Sequence, residues 1–319
     1  AELGRAAGES VPSPEAAPMP QMALLIGAVR ARAVTAVEYF VGDGRLFTWV
    51  IGADGSLNCV ARPLAPGALE TYVRAARGED GRREALVSLH RLLIEPIAEW
   101  LPIAPSRTVL VVPHDRLFLL SFAALIDAGG RHLVESHALA YTPSLAMLAW
   151  TGRERSRSGV ASPTLVVGNP GPAGIRTGAS ADSTLLSLPP LAPLPALPEA
   201  ELEARAVAAA LGRRSELLLG AAADEATVRR RAAGAPILHL AAHGIVDAVD
   251  PMRSGVVLAP GKGLAAGDGR WTLREIQADR FNADLVTISA CESGLGPISA
   301  DGVLGLSRAF LVAGARSVL

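Results

Sequence analysis

Apolar positions in this chain recur at two periods, and the switch between them divides it. Leu86, Leu89, Leu93 and Ile97 share one helix face, and Pro96 kinks or ends that helix. Ahead of it, Ala33 to Val41 and Leu46 to Ile51 read as strands joined by a Gly42-Asp43-Gly44 hairpin turn. Thr108 to His114 is a short apolar run rich in β-branched residues, the pattern of a buried parallel strand. Beyond residue 198 the pattern alternates. Amphipathic helices are predicted over Glu199 to Leu211, closed by Gly212, and over Asp224 to Ala233, closed by Gly234. Strands follow at Ile237 to Ala242 and Gly255 to Leu258, then a helix from Thr272, with Thr272 and Glu275 as a capping box. A strand over Asp284 to Ala290, a helix over Gly302 to Ala313 and a strand starting at Arg316 complete the series. This alternation predicts an α/β fold whose mostly parallel sheet is covered on both faces.

The punctuation sets four segments. Residues 1–20, rich in Ala, Pro, Glu and Ser, read as a linker, and 21–151 form a first block. Residues 152–198 are a loop-rich connection, with Thr164 to Val167 as its one strand candidate, and 199–319 form the second block. The 319 residues are half hydrophobic and 19% charged, which supports a sizeable core and excludes wholesale disorder. Thirty basic residues against 31 acidic ones leave no basic field for nucleic acid or an anionic membrane. Lys262 is the only lysine, and this arginine bias points to a GC-rich bacterial genome. The run Met22 to Val29 is too short to span a membrane and lacks the basic flank of a signal peptide, so a cytoplasmic protein is expected. The alanine at position 1 suggests a piece of a longer protein. Cys59 and Cys291 are too few and too far apart for a disulfide framework or a cysteine-based zinc site.

Reactive groups in parallel sheets gather beyond the carboxyl ends of strands. Pro236-Ile-Leu-His-Leu-Ala-Ala-His243-Gly244 and Asp284-Leu-Val-Thr-Ile-Ser-Ala-Cys291 are apolar strands that end in chemistry. If they are neighbours, His243 and Cys291 meet at one sheet edge. A thiol beside an imidazole is the arrangement of a thiolate nucleophile with its general acid/base. The backbone N–H groups of Gly244 and Cys291 are candidates for an oxyanion hole. Cys59, within Leu57-Asn-Cys-Val60, is expected to be a small buried hydrophobe, and His239 a hydrogen-bonded core histidine.

The blocks ILHLAAHG and LVTISACESGLG, followed by DGVLGLSRAFLVAGARSV, resemble the CHAT domain, a branch of the caspase and separase group of cysteine peptidases. LIEPIAEWLP, VLVVPHDRLFLLSFAALID, HLVESHALAYTPSL, LVVGNP and DPMRSGVVLAP resemble it in the same order, from about residue 36 to 319. The resemblance implies a caspase-like α/β/α sandwich preceded by a degenerate caspase-like half. It implies His243 as catalytic histidine, Cys291 as nucleophile, and the Gly244 amide in the oxyanion hole. No cofactor is implied. A protein substrate is, together with a segment after Leu319 that completes the substrate pocket, and a tetratricopeptide-containing region on a partner or elsewhere in the protein. The competing reading is a non-enzymatic caspase-like scaffold.

Other motifs carry less. His239 and His243 are four apart, but Leu240 stands where a zinc peptidase needs glutamate. Gly255 to Lys262 has the wrong spacing for a phosphate loop, so no nucleotide is assigned. Ser307 lies in a helical pattern rather than on a nucleophile elbow. Arg229-Arg230-Arg231 reads as a solvated helix face. Glu292 is either a loop-orienting or substrate-contacting carboxylate or an exposed one.

Overall fold

The computed structural model describes residues 21–78, 80–104, 106–151, 162–171, 194–247, 249–261, 267–290 and 300–319. Cys291, Glu292 and Lys262 lie outside the described residues. Helix α1 (Met22–Ala31) leads into a meander of β1 (Thr35–Gly42), β2 (Arg45–Ile51) and β3 (Leu57–Pro63). Asp43 and Gly44 both take positive φ, the two-residue turn whose twist suits a hairpin, and this fixes Gly42 opposite Arg45. Helices α2 (Ala68–Arg77) and α3 (Arg82–Leu93) follow, then a 3-10 segment carrying Pro96. Next come β4 (Thr108–Val112), α4 (Leu133–Ser136), β5 (Ala138–Tyr141) and α5 (Leu145–Thr151). The first sheet has the order β3-β2-β1-β4-β5, with β1, β4 and β5 parallel. One face, with Val37, Tyr39, Val109 and Val111, packs against Leu69 and Val73 of α2 and Leu86, Leu89 and Leu93 of α3. The other, with Ala36, Leu110 and Val112, is covered by Val29 of α1 and Leu145 and Leu148 of α5.

The second unit contains β6 (Thr164–Gly168), α6 (Pro198–Leu211), β7 (Ser215–Leu219), α7 (Glu225–Ala232) and β8 (Ile237–Ala241). It continues with β9 (Gly244–Ile245), β10 (Gly255–Val257), β11 (Arg270–Thr272), α8 (Leu273–Ala278), β12 (Leu285–Ser289) and α9 (Ala300–Ala313). Its main sheet is wholly parallel, in the order β12-β8-β6-β7. Strand β6, drawn from the connection between the two blocks, is thus an inner strand. The α/β class with mostly parallel sheets matches the sequence reading. Leu165, Val167, Leu238, Leu240 and Val286 turn to a core closed by α7, α8 and α9, where Trp271, Phe281 and Phe310 pack with ring centroids 5.4–5.7 Å apart. Helix α6 lies on the opposite face, so close that a Cβ on Gly168 would collide with Ala204; only glycine fits there. The capping box at Thr272 and Glu275 forms as its spacing predicts. The end of the chain lies parallel beside β12, with Ser317 and Leu319 carbonyls accepting from Val286 and Ile288. Among the described residues no helix is long and apolar enough to cross a membrane.

Two expectations fail. Cys59 is exposed rather than buried, because β3 is the sheet's edge strand and no layer covers it. The arginine run is not a uniformly solvated face either. Arg229 is half-buried and donates to both oxygens of Asp279, at 3.0 and 2.8 Å, and to Glu225 and Glu275 at 3.0 and 3.3 Å. Asp279 also accepts from Trp271 Nε1 at 2.9 Å, so the network ties α7 to α8 and to the aromatic core. The side chain of Glu225 is almost fully buried, and burial pushes its carboxyl above the usual range despite the Arg229 hydrogen bond. Removing one partner from such a network leaves the others desolvated and unpaired. Arg229→Ala should therefore cost about 2–3 kcal/mol in urea unfolding. Arg230→Ala, on the exposed turn beside it, should cost less than about 0.5 kcal/mol.

Candidate active site

Strands β8 and β12 are adjacent, parallel and in register from Ile237 with Leu285 to Ala241 with Ser289. Two residues beyond the last rung stands His243, and the same count from Ser289 reaches Cys291 in the sequence. Ala290 is the last described residue directly after β12. A Cβ placed on Gly244 would lie 3.5 Å from that of Ala290, so the His243-Gly244 backbone abuts the residue that precedes the cysteine.

The turn after β8 is held by antiparallel pairing. Val257 N–H donates to the His243 carbonyl at 2.8 Å, and Gly244 stands opposite Val256. In an antiparallel ladder the N–H groups of alternate residues point out of the pair, and this phase turns the Gly244 N–H away from β10.

The His243 ring is oriented by a group that sequence reasoning missed. Its Nε2 lies 2.8 Å from the Pro195 carbonyl oxygen. A carbonyl can only accept, so Nε2 carries the proton and Nδ1 is left as the free basic nitrogen. Pro195 is placed in turn by Asn169, which follows β6. The Asn169 side-chain oxygen accepts from Leu197 N–H at 2.8 Å, and its amide nitrogen donates to Glu201 at 3.3 Å. Its backbone N–H donates to Ala241 and its carbonyl accepts from Gly220, at 3.0 and 3.1 Å. One residue thus joins the ends of β6, β7 and β8 to the strand-to-helix loop over His243. It adopts a φ of +42°, a conformation asparagine tolerates better than most side chains. The signal in the sequence was the Gly-Asn-Pro after an apolar strand, though nothing there revealed what the asparagine would hold.

His239 is buried, as expected of a core histidine. Its Nδ1 is 2.6 Å from Thr287 Oγ1, and its Nε2 is 3.2 Å from Glu203 Oε1 without the alignment of a hydrogen bond. The other Glu203 oxygen accepts from Ser289 Oγ at 2.8 Å. Burial lowers the His239 pKa, and the Glu203 charge only partly offsets this. The rings of His239 and His243 engage separate partners. Among the described residues no group of three or more His, Cys, Asp or Glu could hold a metal. Ser307 sits within α9, half-buried on a helix surface.

The sequence profile of the CHAT domain family matches residues 83–319, so the chain belongs to that family, which is related to the caspase-like peptidases. No curated protein matches it.

His239, and also His90 and His137, have pKa values lowered chiefly by burial. Unfolding lets them take up protons below the ordinary histidine value of about 6.5, so stability is held above that pH and lost as pH falls through it. The urea midpoint should therefore drop between pH 7.5 and 5.5, and His239→Gln should shrink that drop. An unchanged drop would show that His239 titrates alike in both states. A separate check concerns Asn169. Replacing it with Ala should free Leu197 and weaken the Pro195 contact, seen as faster solvent exchange of the His243 Nε2 proton by NMR.

Proposed function

We propose that this CHAT-domain chain is a cysteine endopeptidase acting on protein substrates through an acyl-thioester. The observation that carries the reading is the in-register pairing of β8 with β12, which sets Gly244 against the residue before Cys291. The Cys291 thiol gives its proton to His243 Nδ1, the thiolate attacks the scissile carbonyl carbon, and the carbonyl oxygen takes the negative charge. The N–H of Gly244, turned away from β10, and that of Cys291 receive this oxyanion. As the tetrahedral intermediate collapses, the C–N bond breaks and His243 gives a proton to the leaving amine through Nδ1. Water then attacks the thioester with the same nitrogen as base, releasing the acid and restoring the thiol.

The Pro195 carbonyl supports this division of labour, because it engages Nε2 and stabilises the imidazolium that forms during turnover. It takes the place a carboxylate holds in other triads, with a dipole rather than a full charge. No step calls for a metal or an organic cofactor. The substrate is a polypeptide, and neither nucleic acid nor a membrane enters the reading. The protein is read as bacterial and cytoplasmic, its first half as a degenerate caspase-like unit. A tetratricopeptide-containing partner region is the expected source of control.

The test is peptide-bond cleavage of a denatured protein substrate by the full-length protein. Cys291→Ala should abolish cleavage, and His243→Ala should lower it by roughly three orders of magnitude or more. Equal cleavage by wild type and Cys291→Ala would sink the proposal, and no cleavage by the wild-type protein would favour the scaffold reading.

A further inference from the structure

The first sheet contains a second copy of the geometry that sets the site on the second. Its parallel strands β1, β4 and β5 lie side by side in chain order, as β6, β8 and β12 do. Strand β4 has five residues, and His114 stands two past its end, the offset of His243 from β8. Extending the β4–β5 register from Val111 opposite Tyr141 brings Ser144 opposite His114, where the same count in the second sheet gives Cys291. Neither group is poised for nucleophilic chemistry. Ser144 Oγ accepts from Met147 N–H at 3.1 Å as the cap of α5, and His114 Nδ1 accepts from Val41 N–H at 3.3 Å.

What remains is a cavity of about 500 Å³ at this edge, in the size range of ligand sites. Glu38, Phe40, Trp49, Phe118, His114 and Leu25 line it. Glu38 lies on the sheet between Trp49 of β2 and Val112 of β4, directly opposite both in register. The Phe40 ring lies tilted against His114, with centroids 4.7 Å apart, and leaves much of its own surface exposed. Among the described residues no arginine or lysine lines the cavity and Glu38 makes no ion pair. Burial alone pushes its carboxyl above the usual range, as expected of a charge with no counter-ion.

We propose that this cavity is a non-catalytic binding site for a basic side chain, the guanidinium or ammonium of an arginine or lysine presented by a polypeptide. Glu38 supplies the charge, and Trp49 and Phe40 supply π faces for the cation. Because Nδ1 of His114 accepts from the backbone, its Nε2 carries the ring proton, a donor suited to a peptide carbonyl beside the cation. Leu25 and the exposed Met22 at the rim of α1 provide apolar contact for flanking residues. A free acid would meet the Glu38 charge, and a purely apolar ligand would desolvate it further. The site is independent of the peptidase reading.

The experiment is calorimetric titration of the Cys291→Ala chain, in which any cleavage of the probe is removed, with acetyl-Ala-Arg-Ala-amide. Saturable one-to-one binding is expected, with none for acetyl-Ala-Ala-Ala-amide. Glu38→Gln, which removes a half-buried charge without changing shape, should fold normally by its melting curve and bind about tenfold more weakly or worse. Trp49→Leu should weaken binding about threefold. Absence of binding up to millimolar probe, or equal affinity for the Glu38→Gln chain, would overturn the proposal. Agmatine binding as tightly as the blocked peptide would overturn its assignment to a polypeptide.

Discussion

The rung between Ala241 and Ser289 is the constraint from which the candidate site follows. Parallel strands in register emerge from the sheet at the same height, and past that rung the Gly244 backbone abuts Ala290. A slip of one residue would exchange the faces of every side chain on β12. The apolar set Leu238, Leu240 and Val286 on one face forbids that slip, because it would turn β12's core residues toward α6. The hydrophobic core thus sets the register, and the register sets which backbone segments can meet. Asn169 adds the second restraint, holding three strand ends and the Pro195 loop together through four hydrogen bonds.

Beneath that edge the α6 face is polar where the opposite face is not. Glu203 reaches from α6 to Ser289 and to His239, whose other nitrogen meets Thr287. Burial lowers the His239 pKa, and the Ser289 hydrogen bond to Glu203 asks for a helix at one distance and one rotation. Gly168 admits α6 to that distance. The first sheet also brings a histidine past the end of a parallel strand. Its corresponding edge keeps a histidine and a cavity but spends the serine hydroxyl on a helix cap.

Much of this was legible in the sequence. The strands ending at Ala241 and Ser289 announced themselves as apolar runs closed by chemistry-bearing residues, and the capping box at Thr272 followed from spacing. What the sequence concealed is long-range. The Pro195 backbone carbonyl accepts from His243, and no residue type advertises a carbonyl; only its neighbour in space gives it meaning. Cys59 sits in a run that reads as buried, yet its exposure depends on β3 lying at a sheet edge, a topological fact. Arg229 was misread because its partners Asp279 and Glu275 are about fifty residues away. Glu38 passed unnoticed because a lone carboxylate in a strand usually faces water, whereas β2 and β4 here place it beside an aromatic wall.

The most direct test of the central claim is the pH dependence of Cys291 alkylation by iodoacetamide, followed by mass spectrometry. It should be done in a Cys59→Ser background, since the exposed Cys59 thiol would compete. With His243 and Cys291 at one edge, the Cys291 thiolate should persist well below the ordinary thiol value of about 8.5, and His243→Ala should move the profile upward by about one unit or more. The same profile in both chains, centred on the ordinary value, would contradict the account.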